Sequence, residues 1–228
     1  MEKASLTLDF AGKILTFSTG HLAPQATSSV LAQLGDTVVL VTVVAGKIRD
    51  DIDYFPLSVE YTEKLYAGGR IKGSRWVKRE GRPTDDAILI GRLIDRSIRP
   101  LFPKEYKNEV QVVVTVLSVD GEHEPDILAL NAVSAALAMS PIPWKGPIGA
   151  IRMGTVKDIE SGKLGLIHNP TSPESAVSEL DIVVSQSKDL TVMLEAGALQ
   201  VPEETVHEAI VAAHTETQKM IKAIEDLV

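Results

Sequence analysis

Cysteine is absent from the 228 residues. That absence removes disulfides, thiolate metal sites and cysteine nucleophiles together, and it accords with a reducing, cytoplasmic setting. Apolar runs are short: none approaches the ~18 residues of a membrane-spanning helix, so no membrane partner is expected. The first residues, Met1-Glu2-Lys3-Ala4-Ser5, lack the basic stretch and apolar segment of a secretory signal. Gly-X-Y and heptad periods are missing as well, which excludes a fibre, and no longer internal repeat is visible. What is present is a globular composition, 44% hydrophobic and 24% charged, enough for one large domain or two small packed ones.

The formal charge of −8 argues against an indiscriminate nucleic-acid binder, but the charge is unevenly spread. Residues 70–99 hold nine cations against four acids, a local balance of +5, which leaves −13 for the rest. A basic island in an acidic body fits a localised polyanion site; a solvated basic loop without a ligand accounts for it equally well.

Two β-branched runs, 29–34 and 37–44, flank Gly35-Asp36 and predict a β-hairpin. Further strands are expected at 57–61 and, strongly, at 111–119. Thr84 is a good N-cap, with Asp85 and Asp86 where a helix dipole favours acids, and Ile90, Ile94 and Ile98 form an i+4 stripe behind them. A second helix, 126–139, is apolar or small nearly all round and therefore belongs inside the protein. The Pro-rich stretch 140–147 is the best candidate boundary. Beyond it, strands are expected at 148–153, 164–167, 181–187 and 190–195, then a long amphipathic helix with Pro202 at its first position. That helix keeps its stripe to the last residue, as a chain that continues would. Strands followed by helices without regular alternation point to the α+β class. The expected division is a larger subdomain over 1–140, a smaller one over 141–202 and an exit helix over 203–228.

Most catalytic signatures fail on inspection. Gly68 and Gly73 have P-loop spacing, but Ser74 and Arg75 stand where the phosphate-reaching lysine and its hydroxyl neighbour are needed. The five histidines show no metal-ligand spacing, and no Gly-x-Ser-x-Gly elbow exists. The acids of the 120–126 stretch fit a metal or acid/base cluster, or simply the start of the buried helix, where the dipole stabilises them.

The stretch Trp76-Val77-Lys78-Arg79-Glu80-Gly81-Arg82-Pro83, with the helix that follows, is the informative one. Arg92, Arg96 and Arg99 recur at i, i+4 and i+7, so three guanidiniums are expected on one helix face. Trp76 beside Lys78 and Arg79 supplies a stacking surface with adjacent cations, the pairing that single-stranded RNA requires. The competing account is that Asp95 pairs with these arginines and Trp76 packs inside.

Lys78 through Pro83 together with Arg92-Leu93-Ile94-Asp95-Arg96-Ser97-Ile98-Arg99-Pro100-Leu101-Phe102 resembles the first RNase PH-type core domain of the polynucleotide phosphorylase family. Gly35 through Thr42 and Pro125 through Ala132 match as well, and the resemblance covers essentially the whole chain. It implies a core unit of two α/β subdomains with a C-terminal helix. It also implies a phosphate-dependent 3′-to-5′ exoribonuclease that degrades single-stranded RNA and releases nucleoside diphosphates, working as a homotrimeric ring with a central pore. Magnesium and phosphate belong, on this resemblance, to a second core domain outside these residues, along with a helical linker and KH- and OB-type modules. The family's aromatic-aromatic-Arg-Arg pore loop corresponds to Trp76-Val77-Lys78-Arg79, with one aromatic lost, and Arg92 and Arg96 match arginines facing the RNA path.

The expected RNA contacts are thus Trp76, Lys78, Arg79, Arg82, Arg92, Arg96 and Arg99, with no catalytic residue and no cofactor held by this chain. Glu122-His123-Glu124 replaces the hydroxyl-rich phosphate loop of the catalytic copy, and carboxylates there repel phosphate. Asp181 matches one acid of a metal-holding pair, but Ser175 stands where its partner would be, so Asp181 is expected to be a lone strand-start residue. The reading from these features is an RNA-guiding, ring-building half without chemistry. A free-standing RNA-binding or assembly module with no enzyme attached is the alternative.

Overall fold

A computed structural model describes residues 3–48, 52–71, 82–157 and 164–228. The chain begins with two hairpins: β1 (Ala4–Phe10) with β2 (Lys13–Thr19), and β3 (Ser28–Leu34) with β4 (Thr37–Ile48). In the second hairpin Gly35 turns at φ +59°, and an added Cβ would meet the Asp120 carboxylate at 2.8 Å. Next come β5 (Leu57–Glu63), α1 (Asp85–Ile98), β6 (Asn108–Ser118) and α2 (Pro125–Ala138). The six strands form one sheet in the order β1-β2-β3-β4-β6-β5, antiparallel except that β5 runs parallel to β6. Parallel neighbours need a crossover, and α1 lies in it.

The second half repeats the theme on a smaller scale. Strands β7 (Gly149–Lys157), β8 (Leu164–His168), β9 (Leu180–Gln186) and β10 (Thr191–Ala198) form an antiparallel sheet ordered β10-β9-β7-β8. A six-residue helix, α3 (Ser172–Val177), precedes β9, and α4 (Glu203–Leu227) ends the chain. Pro202 is the N-cap of α4, one position before the first helical turn where the sequence places it. Its φ of −58° suits either position, but its ψ of 144° keeps it extended.

Helix α2 joins the two sheets, and nearly every one of its residues is buried, as its apolar circumference requires. It packs on β3 and β4 on one side and β7 on the other. Two of its buried polar residues, Asn131 and Ser134, dock the second sheet. Asn131 donates to the carbonyls of Ile127 and Ala150 and accepts from the Ala150 N–H, while Ser134 exchanges hydrogen bonds with Ile148. Burying such groups costs free energy unless they are paired, and here all the pairings except that to Ile127 fall on β7 or its approach.

Helix α4 lies across β7, β9 and β1. The approach to β7 is close: a Cβ at Gly149 would lie 2.3 Å from the Thr217 carbonyl oxygen, so only glycine fits. Next to Thr217, Glu216 is buried and accepts from the Ala11 N–H in the β1–β2 turn and from Lys219 Nζ. Among the described residues no helix is long and apolar enough to cross a membrane.

Candidate functional site

Helix α1 starts where the sequence places it. Thr84 Oγ1 accepts from the Ala87 N–H at 3.1 Å, and Asp85 and Asp86 occupy the first turn. Leu93, Ile94, Ser97 and Ile98 are buried and Ile90 is half-buried, so the stripe anchors one face and leaves the other to solvent.

The three arginines on this helix have three different surroundings. Arg92 is exposed, and it lines a shallow groove with Glu60, Thr62 and Ile88. Arg96 is exposed and forms an ion pair with Glu195 on β10. Arg99 is turned into the fold. Its Nε and Nη2 take both oxygens of Asp95 at 2.9 and 2.6 Å, its Nη1 and Nη2 donate to the carbonyls of Phe55 and Leu57, and its guanidinium lies 5.8 Å from the centre of the Phe55 ring. The expected face of three free guanidiniums is therefore not formed. Arg99 closes off main-chain carbonyls at the start of β5, the edge strand of the large sheet, and its Asp95 partner is the pairing set out as the competing account. Arg82 is exposed ahead of α1, while Trp76, Lys78 and Arg79 lie outside the described residues.

Behind α1 a cleft of about 350 Å³ separates the helix from the second sheet, lined by Leu89, Ile90, Leu93, Asp126, Arg152, Asp181 and Glu195 among others. Arg152 on β7 stands at its centre. Its Nη2 lies 2.5 Å from Asp126, and its Nη1 lies 3.1 Å from Glu124 and 3.2 Å from Asp181. Asp126 is almost wholly buried in the first turn of α2, whereas Glu124 and Asp181 are about half exposed. Burial pushes the Glu124 and Asp181 carboxyls up from their ordinary values, with Arg152 opposing and the neighbouring acids reinforcing the rise. For Arg152 burial disfavours the charge, but Asp126, Asp181 and Glu124 outweigh it and hold the guanidinium charged.

Asp181 is accordingly not the lone strand-start acid that the sequence led us to expect. The spacing to Ser175 hides its true companions, which come from the start of α2. Ser175 itself sits in α3 with its hydroxyl buried and without a hydrogen-bond partner. The Glu122-His123-Glu124 stretch divides. Glu122 is exposed, His123 turns inward with Nδ1 2.5 Å from Asp120, and Glu124 reaches Arg152. Asp120 is held well below the usual carboxylate range: burial opposes this, but hydrogen bonds from the His123 and Glu122 N–H groups, the His123 ring and Thr37 prevail. Sequence reasoning missed Arg152, although a signal was present: one cation inside the otherwise apolar run of β7 needs buried acidic partners.

Residues 12–143 match the 3′ exoribonuclease family, domain 1, and residues 146–216 match the same family's domain 2. A polyribonucleotide nucleotidyltransferase of Heliobacterium modesticaldum is 50% identical over 97% of this chain, and one of Thermomicrobium roseum is 49% identical over 94%. One of Bradyrhizobium sp. is 48% identical over 99%. The chain spans only 26–30% of the length of these three relatives. Rrp46 of rice (Oryza sativa) superposes with a TM-score of 0.72 over 92% of both chains at 17% identity, which supports the fold. Both domain matches run through the two sheets and the helices between them, and the chain belongs to the 3′ exoribonuclease family.

Proposed function

We propose that these residues act as the first core domain of a phosphorolytic 3′-to-5′ exoribonuclease, guiding single-stranded RNA and building a homotrimeric ring while carrying no chemistry of their own. The observation that supports the guiding role is the exposed α1 face, on which Arg92 and Arg96 lie at the surface while the donors of Arg99 are taken by Asp95 and two carbonyls. Guanidiniums in that position can each take one phosphate of a strand that passes across the helix, independently of base identity. Trp76, Lys78, Arg79 and Arg82 extend the track on sequence grounds, Trp76 as its one stacking surface.

The cleft supports the reading that these residues carry no chemistry. Phosphate as a nucleophile needs donors and positive charge, yet Asp126, Asp181 and Glu195 line this space, and Arg152 is already committed to Glu124, Asp126 and Asp181. Magnesium needs free carboxylate oxygens, and here a guanidinium stands between them. The residues present fit neither group.

Incubation of the protein with poly(A), phosphate and magnesium tests this reading. It predicts no nucleoside diphosphate above a mock preparation. Release that is abolished by Asp181→Asn would overturn it, because the cleft would then be catalytic.

A further inference from the structure

The cleft's poor fit to a metal has a specific cause in this chain. We propose that Arg152 is the resident counter-cation of a three-carboxylate pocket: its guanidinium occupies the position into which Glu124, Asp126 and Asp181 would otherwise draw a divalent metal ion, and it keeps the pocket metal-free.

The three carboxylates come from separate places, the residue before α2, the first turn of α2, and β9. Glu124 and Asp181 each bring an oxygen within 3.2 Å of Nη1 and Asp126 brings one to 2.5 Å from Nη2, so all three converge on one guanidinium. A convergent set of hard carboxylate oxygens is the donor type that magnesium, manganese and calcium use. Among the described residues no group of three or more His, Asp or Glu is placed to hold an ion as the side chains stand.

Charge explains why something cationic must be there. Asp126 is 6% exposed, and a buried carboxylate facing two others must be protonated or neutralised. Arginine suits this post because its planar fork reaches several carboxylates at once and does not lose its proton. Its buried Nε has no partner, so the side chain is placed for its charge and terminal nitrogens rather than for full use of its donors. Three carboxylates against one guanidinium still leave an excess of two negative charges. A divalent ion in the vacated position would reduce that excess to one, which favours uptake of metal once the guanidinium is gone.

The test is Arg152→Met, with Mn2+ binding followed by loss of the free-ion paramagnetic resonance signal and stability followed by thermal melting. Relative to wild type, the variant should bind one more Mn2+ per chain and melt higher as Mn2+ is added, while the wild-type midpoint stays put. Asp181→Asn in the same background should abolish the additional ion. A companion variant, Arg152→Met with Glu124→Gln, Asp126→Asn and Asp181→Asn, should fold without metal and ignore Mn2+, since no charge is left to balance.

The proposal is overturned if Arg152→Met folds and binds no more Mn2+ than wild type, or stays unfolded in millimolar Mn2+. It is also overturned if the charge-free companion fails to fold, since the guanidinium would then be needed for packing and hydrogen bonds. None of these results bears on the RNA reading of α1, which uses different residues.

Discussion

Arg96 and Arg152 both face carboxylates, and their surroundings give the two pairings opposite consequences. Arg96 and Glu195 are each 51% exposed, so water and salt screen their attraction and either partner can leave at little cost. Arg152 is 14% exposed and serves three acids, one of them buried, so its loss would leave an uncompensated charge cluster. Arginine is thus a movable surface charge on α1 and a fixed internal ion on β7. Exposure and the number of partners, rather than residue type, separate a group that is free to meet a ligand from one that the fold has already used. Arg99, bound to Asp95 and two carbonyls, falls on the second side although it shares a helix with Arg96.

The widest gap between the two regions should appear in stability. Arg152→Ala leaves the buried Asp126 facing two further carboxylates without a cation and should cost about 3 kcal/mol. In a chain of this size that corresponds to a fall of roughly 6–12 °C in Tm. Arg92→Ala with Arg96→Ala should stay within about 1 kcal/mol of wild type. Equal losses in the two variants, read by thermal melting, would erase the distinction.

A smaller effect concerns RNA affinity. Glu195→Gln frees Arg96 from its partner and should tighten single-stranded RNA binding about 2-fold, in keeping with the small free energy of an exposed pair. The gain should vanish in an Arg96→Ala background. A gain that persists there would mean that Glu195 acts by general repulsion and not through Arg96.

The smallest effect is one of pH. Burial sets the folded-state Asp181 carboxyl above its ordinary value, so the folded chain keeps that proton to higher pH than the unfolded chain does. Its contribution is therefore unfavourable at neutral pH and is relieved as pH falls through the folded value. Wild type should gain on Asp181→Asn in melts taken from pH 7 down to about 5. A difference that moves the other way would show Asp181 stabilised as the anion, with Arg152 outweighing burial.

Much of the scaffold was legible because its signals are local. Gly35-Asp36 marked the β3–β4 hairpin, Thr84 with two acids marked the start of α1, and the all-round apolar 126–139 stretch marked the interior helix. Three elements, β1, β2 and α3, went unassigned although they carried signals. Leu6, Leu8 and Phe10 alternate toward the turn that joins β1 and β2, and Thr171 and Glu174 form the capping box of α3. The site was less legible because its contacts are long-range. Helical spacing put Arg99 beside Arg92 and Arg96 and even supplied Asp95 four residues back, but it could not show the β5 carbonyls more than 40 residues away. Arg152 meets Asp181 across 29 residues through the pairing of β7 with β9, and Asp126 across 26 through the packing of α2 against the second sheet.

The salt dependence of single-stranded RNA binding, measured side by side for wild type and Arg92→Ala/Arg96→Ala, tests the division of labour most directly. Each phosphate neutralised contributes roughly −0.7 to the log–log slope for a single strand. The double variant should therefore bind with a slope flatter by roughly 1.4 while its fold remains intact. An unchanged slope, with binding still measurable, would contradict the account by placing the α1 arginines off the RNA path.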